Sequence, residues 1–457
     1  MSNNKLILAA VGLFTLITTL ALLYSVKAGI AFFAGGLLIT VVFFKPFWGL
    51  LLYLALIYLR PQEFVTSLRA QPIMLLFSIM VLIIFFIHNA IQKRKLLALD
   101  FRQGNFMIVF FAVIILSQLQ RFYLEGTRNA FDTFLPVFIL FFMIINLVSN
   151  FVELKRTYIL LLVMTVFLAA NGILQYHRGY DIAGQTAIEG RIRWIGIFED
   201  PNDLGLAILT FTPFVLLKLL RKESPWHHRL GYSLILCVLI YALYLTNSRG
   251  TFIGLLVVFT YLLSRAWGVV RGLLIAVVLG AAMFLAGPSR LADMSTNEES
   301  ASGRIDAWSQ GLELLKWRPV LGVGYRSFTE YHPLTAHNSV LLCAAELGIV
   351  GLYVWLLLIV TSFHETLIVE ERGKGGEYAF YARVLQLSMI GFFSAAFFLS
   401  RTYNDVLFII LALCTLLSCF GQKRFGYRIP FLSRNMALAV LFISLGLIAM
   451  IRVIVIF

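Results

Sequence analysis

The 457-residue chain is 60% hydrophobic and only 13% charged, with a mean hydropathy of +0.89 and a net charge of +14. A soluble domain is about 45–50% apolar and about 25% charged, so this composition lacks the polar surface to cover a water-facing core. That excludes a soluble globular fold and intrinsic disorder, and with 33 glycines and 4 cysteines it excludes collagen-like and disulfide-rich scaffolds as well.

In chain order, apolar runs fall near residues 6–26, 28–44, 47–59, 72–89, 104–120, 131–149, 157–176, 203–220, 230–246, 251–264, 272–286, 338–362, 384–400, 405–420 and 435–457. They are continuous rather than alternating in polarity, and most suit a ~30 Å hydrocarbon core crossed by a helix. The pattern predicts an all-α polytopic membrane protein of roughly 12 or more transmembrane helices. Residues 1–457 are expected to form a single transmembrane domain, since no repeat or low-complexity linker interrupts them. The run 6–26 is too long for a secretory h-region and reads as a retained first helix. Cys237, Cys343, Cys414 and Cys419 lie in apolar runs without metal-ligand spacing and read as small buried hydrophobes.

Lysine and arginine set the orientation. The basic loops 90–103, 150–156, 221–229, 265–271, 363–383 and 421–434 read as cytoplasmic. Segments 177–202, Ser248-Arg249-Gly250 and the long loop 287–337 then face the other side. Leaving out the last span, on that outer face stand 13 arginines but only Lys27 and Lys316, against 12 arginines and nine lysines inside. Positive charge is disfavoured outside, so the arginines need a reason. A guanidinium grips phosphate or carboxylate through two parallel hydrogen bonds, which an ammonium cannot do. Helix-end anchoring accounts for Arg60 and Arg121 at span ends. A collective anionic site better accounts for those in 177–202, 247–251 and 287–337.

The loop 287–337 carries its own pattern. From Arg304 to Trp317, Ile305, Trp308, Leu312 and Leu315 recur at spacings of three and four, a short amphipathic helix. It is expected to lie on the membrane or cap a cavity. Gly322-Val323-Gly324 follows and reads as a turn, since no phosphate-binding glycine motif continues it. The loop then delivers His337-Asn338-Ser339 to an apolar helix. Glu346 lies nine residues on, about 14 Å along that helix, where a carboxyl needs a partner. Gly348 and Gly351 would let a neighbouring helix approach. His337 has the side chain best suited to proton transfer near neutral pH.

In the loop before 203, Glu189-Gly190-Arg191-x-Arg193-Trp194 places two arginines on one face of an extended backbone, able to clamp one anion. Glu199, Asp200 and Asp203 supply oxygens for a divalent cation, but no D-x-D pair occurs and no metal is expected.

His337-Asn338, nine residues, Gly348, two residues, Gly351 resembles the pattern of bacterial O-antigen ligases. Ser248-Arg249-Gly250 before a span, and Arg304-x3-Trp308 followed by Pro319-x2-Gly322-x-Gly324, are similar to the same superfamily. These motifs cover roughly residues 190–351. The resemblance implies a GT-C-type bundle in the bacterial inner membrane, its site facing the periplasm, with no cofactor. It implies transfer of a polysaccharide from undecaprenyl diphosphate to a sugar hydroxyl of lipid A-core, in contact with membrane lipids and not with nucleic acid. His337 would be the general base. Arg191, Arg193, Arg249 and Arg304 would bind the diphosphate, with Asn338 and Glu346 supporting. The reaction would be inverting and metal-independent. An O-antigen polymerase or protein O-oligosaccharyltransferase would use the same donor. A secondary transporter is the reading from another class, but the paired repeats and broken helices of transporters are not seen in the sequence.

Overall fold

The computed structural model describes Thr19, Ser25, Gly36 and residues 40–64, 73–91, 101–221, 225–286 and 298–456. Most of the runs 6–26 and 28–44 lies outside these residues. Two compact units are distinguished, residues 1–56 with 72–97 and residues 57–71 with 98–457. In the first, Tyr53 stacks on Phe77 with ring centroids 6.4 Å apart, within a core that includes Leu50, Leu54, Val81 and Phe85.

The helices are α1 (Pro46–Leu59), α2 (Pro61–Phe64), α3 (Ile73–Ile91), α4 (Arg102–Leu119), α5 (Leu124–Leu147), α6 (Phe151–Arg178), α7 (Pro201–Leu219), α8 (Trp226–Thr246), α9 (Arg249–Trp267), α10 (Val269–Ala286), α11 (Glu298–Trp317), α12 (Ser339–Arg372), α13 (Glu377–Ala396), α14 (Asp405–Phe425) and α15 (Arg434–Ile456). The fold is all-α; among the described residues there is no strand, only an isolated bridge between Ile188 and Arg191. Ten of these helices, α4 to α9 and α12 to α15, are long and apolar enough to cross a membrane, and all ten belong to the second unit. The protein is a multi-pass membrane protein. Helices α7, α12, α13 and α14 are the most buried, while α8, α9 and α15 expose most of their surface.

Helix ends follow local chemistry. Asn150, Asp200, Asn338 and Asn404 each accept a backbone N–H from the first turn of α6, α7, α12 and α14, satisfying donors that a helix start leaves open. Gly426 ends α14 in the left-handed conformation.

One helix is broken. Inside α12, Gly348 has φ +66° and ψ −170°, which interrupts the hydrogen-bond ladder. In an apolar interior the freed groups must find other partners. The segment after α11 supplies them. Val323 and Gly324 donate to the carbonyls of Ala345 and Glu346, both at 2.9 Å. Ile349 and Val350 donate back to Pro319 and Val320 at 2.9 and 3.3 Å. The other side of the segment rests on the end of α4, where Gln120 donates to Gly322 O at 2.6 Å and Gln118 to Tyr325 O at 2.7 Å.

The glycines expected to admit a neighbouring helix therefore act differently. At Gly348 a Cβ would stand 2.2 Å from the carbonyl oxygen of Val320, and at Gly322 it would stand 2.3 Å from the carbonyl carbon of Glu346. Both also need positive φ. Gly351 instead faces Leu347 of its own helix, whose Cβ lies 2.1 Å from where a side chain would begin.

Helix α11 packs on α12. Its buried face is Ala307, Trp308, Leu312 and Leu314, whereas Ile305 is exposed. The three-and-four spacing thus marks most of the buried face but misplaces its edge. Leu314 joins Val323, Phe328, Ala336, Leu342 and Ala345 in a small core that unites loop and helix.

This geometry separates two kinds of glycine. Gly426→Ala meets nothing within 4 Å and pays only for its positive φ, about 1 kcal/mol. Gly322→Ala and Gly348→Ala add a backbone collision and should lose well over 2 kcal/mol. Thermal unfolding of the three purified variants in one detergent checks the ranking.

Candidate active site at the entry to the broken helix

His337 is the last residue before the Asn338 cap of α12, half-buried, with φ +46°. A histidine in this sparsely populated region persists only where its surroundings fix it. The turn 399–402 does so. The His337 N–H donates to Ser400 Oγ at 2.8 Å, and Thr335 Oγ1 donates to the same oxygen at 2.9 Å. Ser339 Oγ donates to Leu399 O and accepts from the Arg401 N–H, at 2.6 and 2.8 Å. Thr402 Oγ1 closes the clamp on Ser339 O at 2.7 Å.

The electrostatic setting is cationic. Burial first, then the Arg304 and Arg401 guanidiniums, hold the His337 imidazole below its ordinary value of 6.5, with Asp200 opposing. The ring is therefore neutral at pH 7, as a base must be. Burial and then Arg249 likewise lower the Arg304 guanidinium, which has no carboxylate partner among the described residues. Trp308, one turn beyond Arg304, packs edge-on to Phe397 with centroids 6.0 Å apart, which sets α11 against the 399–402 turn. His337, Arg304 and Arg249 are thus brought together.

Arg191 is held at the edge of this group. Its Nε donates to Thr246 O and one terminal nitrogen to Asn202 Oδ1, both at 2.9 Å. Thr246 ends α8 just before Arg249, and Asn202 stands two residues from Asp200. Arg193 turns elsewhere, donating to Thr186 O at 3.1 Å and standing 3.9 Å from Glu199. The shared face expected of Arg191 and Arg193 is not used by one common partner. Asn338 is fully buried and caps α12 through its Oδ1. Glu346 ends the first half of that helix, 2% exposed, accepting from the Tyr403 hydroxyl at 2.8 Å and the Phe328 N–H at 3.2 Å. Burial and Glu346 keep the Tyr403 phenol well above its ordinary value, so it remains the donor.

Residues outside the expected set complete the site. Arg401 binds Asp200 at 2.7 Å and also binds Asp203, so two of the three acidic groups considered for a cation are held by a guanidinium. Beside the clamp opens a cavity of about 650 Å³, lined among others by Arg60, Tyr325, Arg326, Glu346, Arg401 and Tyr403. Arg60 and Arg326 also have positive φ, +47° and +56°. The sequence signal for this wall was the polar run Ser400–Asp405 between two apolar spans.

A neutral imidazole set among guanidiniums, next to a polar cavity, can accept a proton while the guanidiniums stabilise an anion. Residues 234–356 match the O-antigen ligase family. The matched stretch holds Arg249, Arg304, His337, Glu346 and Gly348, while Arg191, Arg401 and Arg60 lie outside it. A Rickettsia felis protein provisionally named a polysaccharide ligase is 26% identical over 262 residues, covering 50% of this chain and 61% of that protein. A similarly named Rickettsia prowazekii protein is 24% identical over 258 residues, with the same coverage. The chain thus spans about three-fifths of the length of these relatives.

The Arg401 pair with Asp203 has both side chains largely buried, at 19% and 15% exposure. Removing one partner leaves the other charge uncompensated. Arg401→Gln should therefore destabilise more than the double variant Arg401→Gln/Asp203→Asn implies by addition. A double-mutant cycle by thermal unfolding should give a coupling of about 1–3 kcal/mol.

Proposed function

We propose that the protein is a polysaccharide ligase that transfers a glycan from undecaprenyl diphosphate to a sugar hydroxyl of lipid A-core, at a periplasmic site of the bacterial inner membrane. The observation that carries this is the neutral His337 set beside Arg304 and Arg249 at the entry to α12. The acceptor oxygen attacks the anomeric carbon as the bond to the diphosphate breaks. The acceptor proton passes to the His337 imidazole, and the electron pair leaves with undecaprenyl diphosphate. Arg249 and Arg304, with Arg191 at their edge, stabilise the charge that grows on the departing oxygens, and no metal is required. Attack opposite the leaving group inverts the anomeric centre. Arg193 braces the loop 186–199, Asn338 caps the helix, and Glu346 fixes the Tyr403 wall of the cavity. The family match and the names of the Rickettsia relatives support the polysaccharide part of this reading.

Transfer by purified protein from lipid-linked glycan to rough lipopolysaccharide tests reaction and acceptor together. His337→Ala should lower the rate by about 10²–10⁴ without loss of folded protein, and activity within a few-fold of wild type would overturn the assignment.

The pH profile follows from the site. A base depressed below 6.5 gives a rate that is flat at neutral pH and falls on acidification. Arg304→Gln removes a guanidinium that depresses it, so the acid limb should move to higher pH even where the plateau drops. Measuring transfer rate against pH for both proteins decides the direction.

A further inference from the structure

A second basic site lies at the end of the bundle opposite His337. Helices α7, α9 and α12 all begin beside the His337 site and run away from it, and α13 returns. Where α7 and α9 end and α13 begins, a cavity of about 390 Å³ is lined by Arg221, Arg265 and Arg383. Its walls are apolar, with Leu217, Leu220 and Leu262 from α7, its end and α9, and Phe380 from α13.

One carboxylate balances these charges in part. Glu370 of α12 is 8% exposed and lies 3.2 Å from Arg265 and 2.8 Å from Arg383. Arg265 and Arg383 each keep side-chain exposure of 45%, so their guanidiniums are anchored on one side and open on the other. Arg221 is positioned differently, its guanidinium 5.5 Å from the centre of the Phe380 ring, and Lys218 stands over the same ring at 4.7 Å. Two guanidiniums thus hold one buried carboxylate, and the Arg221 guanidinium stands over Phe380 in the same cavity, so three guanidiniums and one paired carboxylate meet at an apolar floor.

We propose that this cavity binds the phosphate of an anionic phospholipid, with the headgroup among Arg221, Arg265 and Arg383 and the acyl chains leaving along α7 and α9. Guanidinium forks match phosphate oxygens, and basic pockets between helix ends at the cytoplasmic boundary are suited to such headgroups. The apolar floor and the position at the ends of spanning helices favour a lipid over a soluble phosphate. The proposal does not rest on the transfer reaction, since none of its residues belongs to the His337 site.

The test uses the full chain in vesicles of phosphatidylcholine alone, or with phosphatidylglycerol added, and reads the thermal midpoint at rising anionic lipid. Arg221→Gln leaves the Glu370 pairs intact, and Arg229→Gln, at the same end but outside the cavity, is the control. Wild type and Arg229→Gln should be stabilised equally by phosphatidylglycerol, whereas Arg221→Gln should need about fivefold more lipid for half the effect. Equal responses of Arg221→Gln and Arg229→Gln would reduce the effect to general surface charge and overturn the site. So would no response to phosphatidylglycerol in wild type. Inorganic phosphate is added separately to protein in phosphatidylcholine vesicles. If it stabilises wild type but not Arg221→Gln at equal phosphate concentration, the lipid source is overturned in favour of a soluble anion.

Discussion

Four backbone hydrogen bonds between residues 319–324 and 345–350 set the geometry of the site. A break in a buried helix strands donors and acceptors that water cannot reach, and each costs several kcal/mol unless it is paired. Here the break at Gly348 and the segment at Gly322 are answers to each other, because neither backbone could approach if either glycine carried a Cβ. The pairing draws the end of α11 down onto α12. That in turn brings Arg304 toward His337 and places Glu346, last residue but one before the break, under the Tyr403 hydroxyl.

The second constraint is charge. Three arginines near His337 would repel one another without fixed counter-charges or a bound anion. Asp200 and Asp203 take up Arg401, whereas Arg304 has no carboxylate partner among the described residues; in the proposed reaction Arg304, with Arg249 beside it, would meet the diphosphate. Burial and then the same field depress the histidine, so in the proposed reaction one arrangement of guanidiniums would both prepare the base and favour the leaving group. Capping serves the site as well: Asp200 starts α7 and binds Arg401, while Asn338 starts α12 directly after His337.

What could be read from the sequence follows the range of the forces involved. Spans such as 405–420 are legible because a bilayer sets a length and excludes charge, and α14 covers that run with a few extra residues at its end. The junction at His337-Asn338 is legible because capping is local. Gly322-Val323-Gly324 reads as a turn, but it is an irregular segment bent at Val323, whose partner lies more than twenty residues away with no periodicity to announce it. Arg401 is hidden for the same reason, its carboxylates lying 198 and 201 residues earlier in the chain. Arg191 and Arg193 show the opposite error, in which a correct local face fails to predict that one side chain turns to Thr246 and the other to Thr186.

The most direct test of this account is amide hydrogen exchange at Val323, Gly324, Ile349 and Val350 in the purified protein. If the loop and the broken helix form one paired element, these four amides exchange together and as slowly as the flanking turns of α12, despite two of them lying in a loop. Exchange of Val323 and Gly324 at the rate of an open loop, with α12 still protected, would contradict the pairing and the positioning of His337 that depends on it.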